Sequence, residues 1–227
     1  MAKEKKEEML VDVQQAYTKT EHYIEENKKS LTIILGAIVV LITGYFAWTK
    51  LYVAPKEAEA QNQMFVAEKY FEKDSFKLAI NGDGNYMGFE KIAEEYGVTK
   101  SGNLAHYYLG MSYLKTGQFE KAIEQLNEFD SDDEILAPLA VGAIGDANME
   151  LNKTDEAINF YLKAAKERTN NFTTPIFLMK AALAYESQSN FENALKIYEE
   201  IKADYSTTTE GREIEKHITK AKLLAGK

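Results

Sequence analysis

Residues Leu31 to Trp48 read LTIILGAIVVLITGYFAW, one uninterrupted apolar run in a chain otherwise rich in charge. At about 1.5 Å per residue, a helix made from this run and its flanks crosses the roughly 30 Å hydrocarbon layer of a bilayer. A buried core helix of that length carries a polar stripe, and here the polar residues are Thr32 and Thr43 alone. A cleaved signal peptide has a short charged region and an apolar stretch of about 7–15 residues, whereas this run is longer and follows a long tail. The chain has no cysteine, which excludes a cysteine-linked lipid anchor. The expectation is a retained transmembrane helix over residues 31–53, with a tail at 1–30 and a folded domain at 54–227.

Tyr45, Phe46, Trp48 and Tyr52 gather at the C-terminal end of the run, where amphipathic rings favour the headgroup layer, and Lys28 and Lys29 mark the other end. Lys19, Lys28 and Lys29 precede the span and Lys50 and Lys56 follow it. The close pair leans toward an N-inside, C-outside orientation without fixing it. Thr32, Gly36, Thr43, Gly44 and Ala47 fall roughly on one helical face, which would let another membrane helix approach closely; glycine is common in membrane helices in any case. In the tail, Met9, Val13, Tyr17 and Ile24 recur at near-helical spacing. They fit either a short partner-binding amphipathic helix or a solvated extension.

The formal net charge is −9; the tail contributes −1 and Lys50 +1, so residues 51–227 keep the whole −9. That balance argues against nucleic acid and against close adhesion to anionic lipid. The absence of cysteine rules out disulfides and thiolate metal sites. Three prolines and no Ser/Gly-rich tract leave no long flexible linker after the anchor.

Past Pro55 the pattern is helical almost throughout. EAEAQNQMFVAEKYFEKD places Met64, Phe65, Tyr70 and Phe71 in an amphipathic stretch, which Asn81-Gly82-Asp83-Gly84-Asn85 interrupts. That pentad alternates oxygen ligands, but a calcium loop counted from Asn81 would have Tyr86 and Ile92 where glycine and a carboxylate are needed, so it reads as a turn. From Asn103 onward a period appears. Ala122, Ala157 and Ala194 are 35 and 37 residues apart, each preceded twelve residues earlier by Gly110, Gly145 or Ala182. Tyr113, Asn148 and Tyr185 follow those small residues by three, and Leu126, Tyr161 and Tyr198 follow the alanines by four. Two antiparallel helices approach closely only where a side chain is missing, and larger residues on either side fill the space between successive pairs. Gly117, Asn152-Lys153 and Ser189-Asn190 occupy the turns.

This pattern resembles the tetratricopeptide repeats, whose period is about 34 residues. The resemblance implies an all-α solenoid with repeats at about 56–97, 103–136, 138–171 and 175–208. Phe89, Ile92, Ala93 and Tyr96 would supply the second helix of a degraded first repeat. Ile214, Ile218, Ala221 and Leu224 share one face of a capping helix over 209–225. It also implies a binding groove along the first helices: Leu104, Tyr107, Met111, Leu114 and Lys115; Leu139, Gly142, Asp146, Met149 and Glu150; Ile176, Met179, Leu183, Glu186 and Ser187. Methionine's flexible thioether suits adaptable binding of apolar segments. The C-terminal helix could equally fold back and fill the groove itself.

No catalytic constellation emerges. His22, His106 and His217 are scattered, the acids read as solvating charge, and the phosphate loops, metal-spaced histidines and nucleophile elbows of enzymes are missing. The chain is expected not to be an enzyme, with no cofactor, metal site or small-molecule substrate. A tail, one signal anchor and an acidic repeat domain together resemble the YfgM-type ancillary subunits of the bacterial Sec translocon. The stretch NGDGNYMGFEKIAEEYGVTKSGNLAHYYLGMSYLKTGQFEKAIEQL is similar to the form found in Bacteroidota. The resemblance implies an inner-membrane protein with a cytosolic N-terminus and a periplasmic domain. Its partners would be the SecYEG channel and a PpiD-type chaperone, and it would help hand over nascent exported polypeptides. The rival reading is a scaffold in an envelope-assembly or cell-division complex that binds no client.

Overall fold

The computed structural model describes residues 21–226, so Met9, Val13 and Tyr17 of the tail lie outside the described residues. The chain divides at Pro55/Lys56 into two units. In the first, helix α1 (Lys28–Trp48) buries none of its residues, and the turn Thr49–Val53 is a π-helix. It is the one described helix long and apolar enough to cross a membrane. The hydroxyls of Thr32 and Thr43 donate back to the carbonyls of Lys28 and Val39, so the polar atoms in the apolar run are satisfied within the helix. Trp48 and Tyr52, one turn apart, stack with centroids at 6.3 Å.

Ten helices follow: α2 (Ala54–Glu72), α3 (Phe76–Asn81), α4 (Phe89–Tyr96), α5 (Lys100–Lys115), α6 (Phe119–Glu128), α7 (Leu136–Glu150), α8 (Thr154–Glu167), α9 (Thr173–Ser187), α10 (Phe191–Asp204) and α11 (Thr209–Leu224). From α5 to α10 they form three hairpins. The expected close approaches are present: a Cβ on Gly110 would lie 2.6 Å from Leu126, and one on Gly145 would lie 2.6 Å from the Tyr161 ring. Each hairpin turns through a residue with positive φ, at Gly117 (75°), Asn152 (58°) and Ser189 (59°). Glycine enters that region without strain and asparagine tolerates it; serine is the less usual choice.

Before these hairpins, Ala60, Met64 and Ala67 of α2 and Phe89, Ile92 and Tyr96 of α4 share one core with Leu109 and Tyr113 of α5. α2, α4 and α5 therefore pack around one core, with the short α3 between α2 and α4 in sequence. The Asn-Gly segment is a turn closed by a bridge between Gly82 and Met87. Asp83 Oδ1 accepts the amides of Asn85 and Tyr86 at 2.9 and 2.8 Å, and its other oxygen accepts the Tyr70 hydroxyl at 2.8 Å. The carboxylate is occupied in holding the turn.

The junctions between hairpins carry a device that the sequence pattern had not disclosed. Thr99 and Thr208 both bond back to a tyrosine carbonyl (Tyr96, 2.6 Å; Tyr205, 2.8 Å) and accept the amide of a glycine three residues on (Gly102, 2.9 Å; Gly211, 3.2 Å). A Cβ on either glycine would meet that tyrosine carbonyl oxygen at 2.0 Å. The same Tyr-x-x-Thr-x-x-Gly corner thus starts α5 and α11 and caps their N-termini. α11 is built as the first helix of a further repeat, with Ile214, Ile218 and Ala221 buried. Leu224 follows on the same face one turn later and is half exposed.

First helices α5, α7, α9 and α11 bring their backbones close to one another in sequence, whereas α6, α8 and α10 do not approach one another among the described residues. The array therefore curves with its first helices on the inner side.

Candidate protein-binding groove

The groove positions form a continuous but mostly half-buried strip. Leu104, Met111, Leu114 and Leu139 pack together over the core of the first two hairpins. Leu139, Met149 and Met179 pack over the C-terminal core, so Leu139 joins the two. Ile176 is half-buried, Leu183 is 44% exposed, and Lys115, Glu150 and Ser187 are exposed. Phe172, 59% exposed, lies one turn before Ile176 and extends the apolar strip of α9 to Phe172, Ile176, Met179 and Leu183. Sequence reading passed over Phe172 because it lies in the connection preceding the helix, although its spacing continues the same face.

Three other groove positions are spent on packing. Tyr107 is 9% exposed and lies against the rings of Tyr108 and Phe129. Gly142 lies under the Phe177 ring, 1.9 Å from where its Cβ would be. Asp146 accepts Lys180 Nζ on both oxygens, at 2.6 and 2.7 Å, and the Tyr161 hydroxyl at 2.7 Å. Lys180 also lies over the Tyr161 ring at 5.6 Å, so α7, α8 and α9 meet in one charged cluster. Burial, then the Asp146 charge, pushes the Tyr161 phenol well above its ordinary value.

Glu186 is held at the α9–α11 joint. One of its oxygens pairs with Lys220 at 2.6 Å, and the side chain is buried near the ring of Tyr198. Burial and the Glu186 charge raise the Tyr198 phenol. His217 lies over the Tyr198 ring at 5.2 Å. α11 packs on α9 and α10 and places no residue in the cluster around Leu104, Met111 and Leu114, so it does not fill that part of the strip.

His106 bonds Gln125 at 2.9 Å between the helices of its own hairpin, and His22 pairs with Glu26 on an exposed surface. The acidic loop is structural: Asp133 caps α7 by accepting the amides of Ile135 and Leu136, and Asp132 pairs with Arg168. No group of three or more metal-ligating side chains comes together among the described residues. On α1, Thr32, Gly36, Thr43, Gly44 and Ala47 are all exposed, and a Cβ on Gly36 or Gly44 would meet nothing within 4 Å.

Tetratricopeptide-repeat family models match residues 107–172 and 177–208. A curated relative, tetratricopeptide repeat protein 29 of Macaca fascicularis, is 24% identical over 162 residues covering 68% of this chain; the chain spans 33% of that relative's length. Among solved structures, a Podosopora anserina protein described as a kinesin light chain with nearly identical TPR-like repeats superposes with a TM-score of 0.57 at 14% identity, covering 75% of this chain and 88% of that one. MamA protein superposes with a TM-score of 0.52 at 20% identity, covering 74% and 92%. Residues 107–172 and 177–208 are therefore tetratricopeptide repeats, and the helical array has the tetratricopeptide-like solenoid fold.

Proposed function

We propose that this chain is a non-enzymatic, membrane-anchored adaptor. Its repeat array offers a protein-binding strip, and α1 holds it in the bilayer. The observation that carries the reading is the apolar strip on the first helices, from Leu104 and Met111 to Met179 and Leu183, which α11 leaves unfilled around α5. Tetratricopeptide repeats are protein-interaction scaffolds, and half-buried methionine and leucine on such a surface fit adaptable recognition of apolar segments. In the finer form of this proposal the protein sits in the inner membrane with its array in the periplasm. There it pairs with SecYEG and a PpiD-type chaperone and receives exported polypeptides, as the resemblance of its architecture to YfgM-type subunits suggests. The small face Thr32, Gly36, Thr43, Gly44 and Ala47 would meet a partner helix within the membrane.

Photo-crosslinkers placed at Met111 and Met179 test this. Capture of nascent exported chains upholds the adaptor, whereas capture of one folded partner alone replaces it with a client-free scaffold in an envelope complex. Replacing Gly36 and Gly44 by leucine should reduce co-purification with the translocon in mild detergent; undiminished recovery would remove the membrane face from the proposal.

A further inference from the structure

Helix α2 buries Ala60, Met64 and Ala67, yet leaves Phe65 57% exposed. Phe65 borders a cavity of about 460 Å³ between α2 and α5, with Met64 and Leu104 as its other apolar walls and Glu57, Glu68 and Lys100 at its edge. A cavity of this volume holds a large apolar side chain. Its charges are unequally satisfied. Glu57 accepts the amide and hydroxyl of Ser101 and the Gln61 side chain. Glu68 has no ion-pair partner among the described residues, and burial, then neighbouring Glu72, raises its carboxyl from its ordinary value. The exposed ring already attracts a cation: Lys69 Nζ lies 4.0 Å from the Phe65 centroid, nearer than the 5.1 to 5.9 Å of the other lysine–ring contacts.

We infer that this cavity is a docking point for a short polypeptide segment that sets an apolar side chain against Met64, Phe65 and Leu104 and a lysine or arginine beside Glu68. The inference rests on reading the array as a protein-binding scaffold and adds a partner of defined charge at a place that includes one residue of the strip, Leu104. Charge decides the sign of the partner: a half-buried carboxylate with no ion-pair partner among the described residues gains from an arriving cation and repels an anion.

The test uses the full chain in nanodiscs of zwitterionic lipid, with empty nanodiscs subtracted, and a fluorescent dodecapeptide of leucine and lysine; its leucine–glutamate counterpart is the control. Fluorescence anisotropy should show binding of the first peptide only. Phe65→Ala and Glu68→Gln should each weaken it about tenfold, Glu68→Lys should transfer preference to the leucine–glutamate peptide, and Glu156→Gln, at an exposed position of α8, should leave it unchanged. These substitutions are at exposed or half-exposed positions and leave the core intact. Absence of binding, equal binding of both peptides, or binding indifferent to Phe65 and Glu68 overturns the inference. Binding lost in Leu183→Glu alone overturns it too, while leaving the strip on the first helices standing.

Discussion

Gly142 lets the packing of successive repeats be tested by the sign of an effect. Gly142→Ala adds a methyl group 1.9 Å from Phe177 Cε1 and 2.2 Å from Cζ. Carbon atoms rest about 3.5–4.0 Å apart, so the ring must retreat by something like 1.5–2 Å. Phe177 is 3% exposed and part of the C-terminal core, which leaves it little room. Overpacking of this kind costs about 1–3 kcal/mol. Against it stands the gain of about 1 kcal/mol for alanine over glycine inside a helix. The net expectation is a destabilisation of up to about 2 kcal/mol. In a Phe177→Ala background, itself weakened by about 3–5 kcal/mol, the methyl group enters the space left by the ring. Gly142→Ala should then become stabilising, by up to about 1 kcal/mol. Phe177→Leu provides a milder background. Urea denaturation of the full chain in detergent micelles, followed by far-ultraviolet circular dichroism, measures all four corners of the cycle. A Gly142→Ala protein more stable than the parent, or strict additivity in the double variant, would refute the account of α7 packing against α9.

Stability should fall in alkali because the buried tyrosines resist ionisation. Burial and the bond to Glu90 push Tyr113 up to about 12, and Tyr161 is raised further by burial and Asp146. The unfolded chain releases these protons near pH 10, so their contribution is present below that value and is lost as pH rises through the folded value. Midpoints of denaturation measured below and above pH 10 check this, and Tyr161→Phe should shrink the difference. At the other end, burial and then Lys216 lower the His217 value, with Lys220 adding to the effect and Glu186 and Glu213 opposing it; the ring lies on Tyr198. A depressed histidine favours the neutral form in the fold, so its contribution is present above roughly pH 6.5 and lost as pH falls through the folded value. Hydrogen exchange in α11, corrected for intrinsic rate, should quicken on mild acidification, and less so in His217→Gln.

The long apolar helix, the hairpin repeats and their turns were legible in the sequence because each rests on a local requirement. Lipid demands a long apolar run, two helices demand a missing side chain at their crossing, and a tight turn demands positive φ. Gly110, Gly145 and Gly117 are where those demands surface as residue identity. The Thr99–Gly102 and Thr208–Gly211 corners were equally local, but a single Thr-x-x-Gly has meaning only once the tyrosine carbonyl that the glycine approaches is located.

The candidate site was less legible, since helical spacing places a residue on a face without saying how much of that face the next hairpin covers. Asp146 has the same register as Met111 and Leu183, and Tyr107 and Gly142 share theirs with Met179. Yet Tyr107, Gly142 and Asp146 are consumed by Phe129, Phe177 and the Lys180–Tyr161 cluster, while Leu183 remains exposed. Phe65 shows the converse: the sequence places it in an amphipathic stretch beside Met64, and packing buried Met64 but left Phe65 beside an open cavity. What the sequence determined by itself was the covalent and helical periodicity: an apolar span, a repeat and its breakers. Which first-helix side chains face solvent, and which carboxylates lack a cation, was decided by the tertiary structure, because exposure and charge pairing depend on neighbours some 35 residues away along the chain.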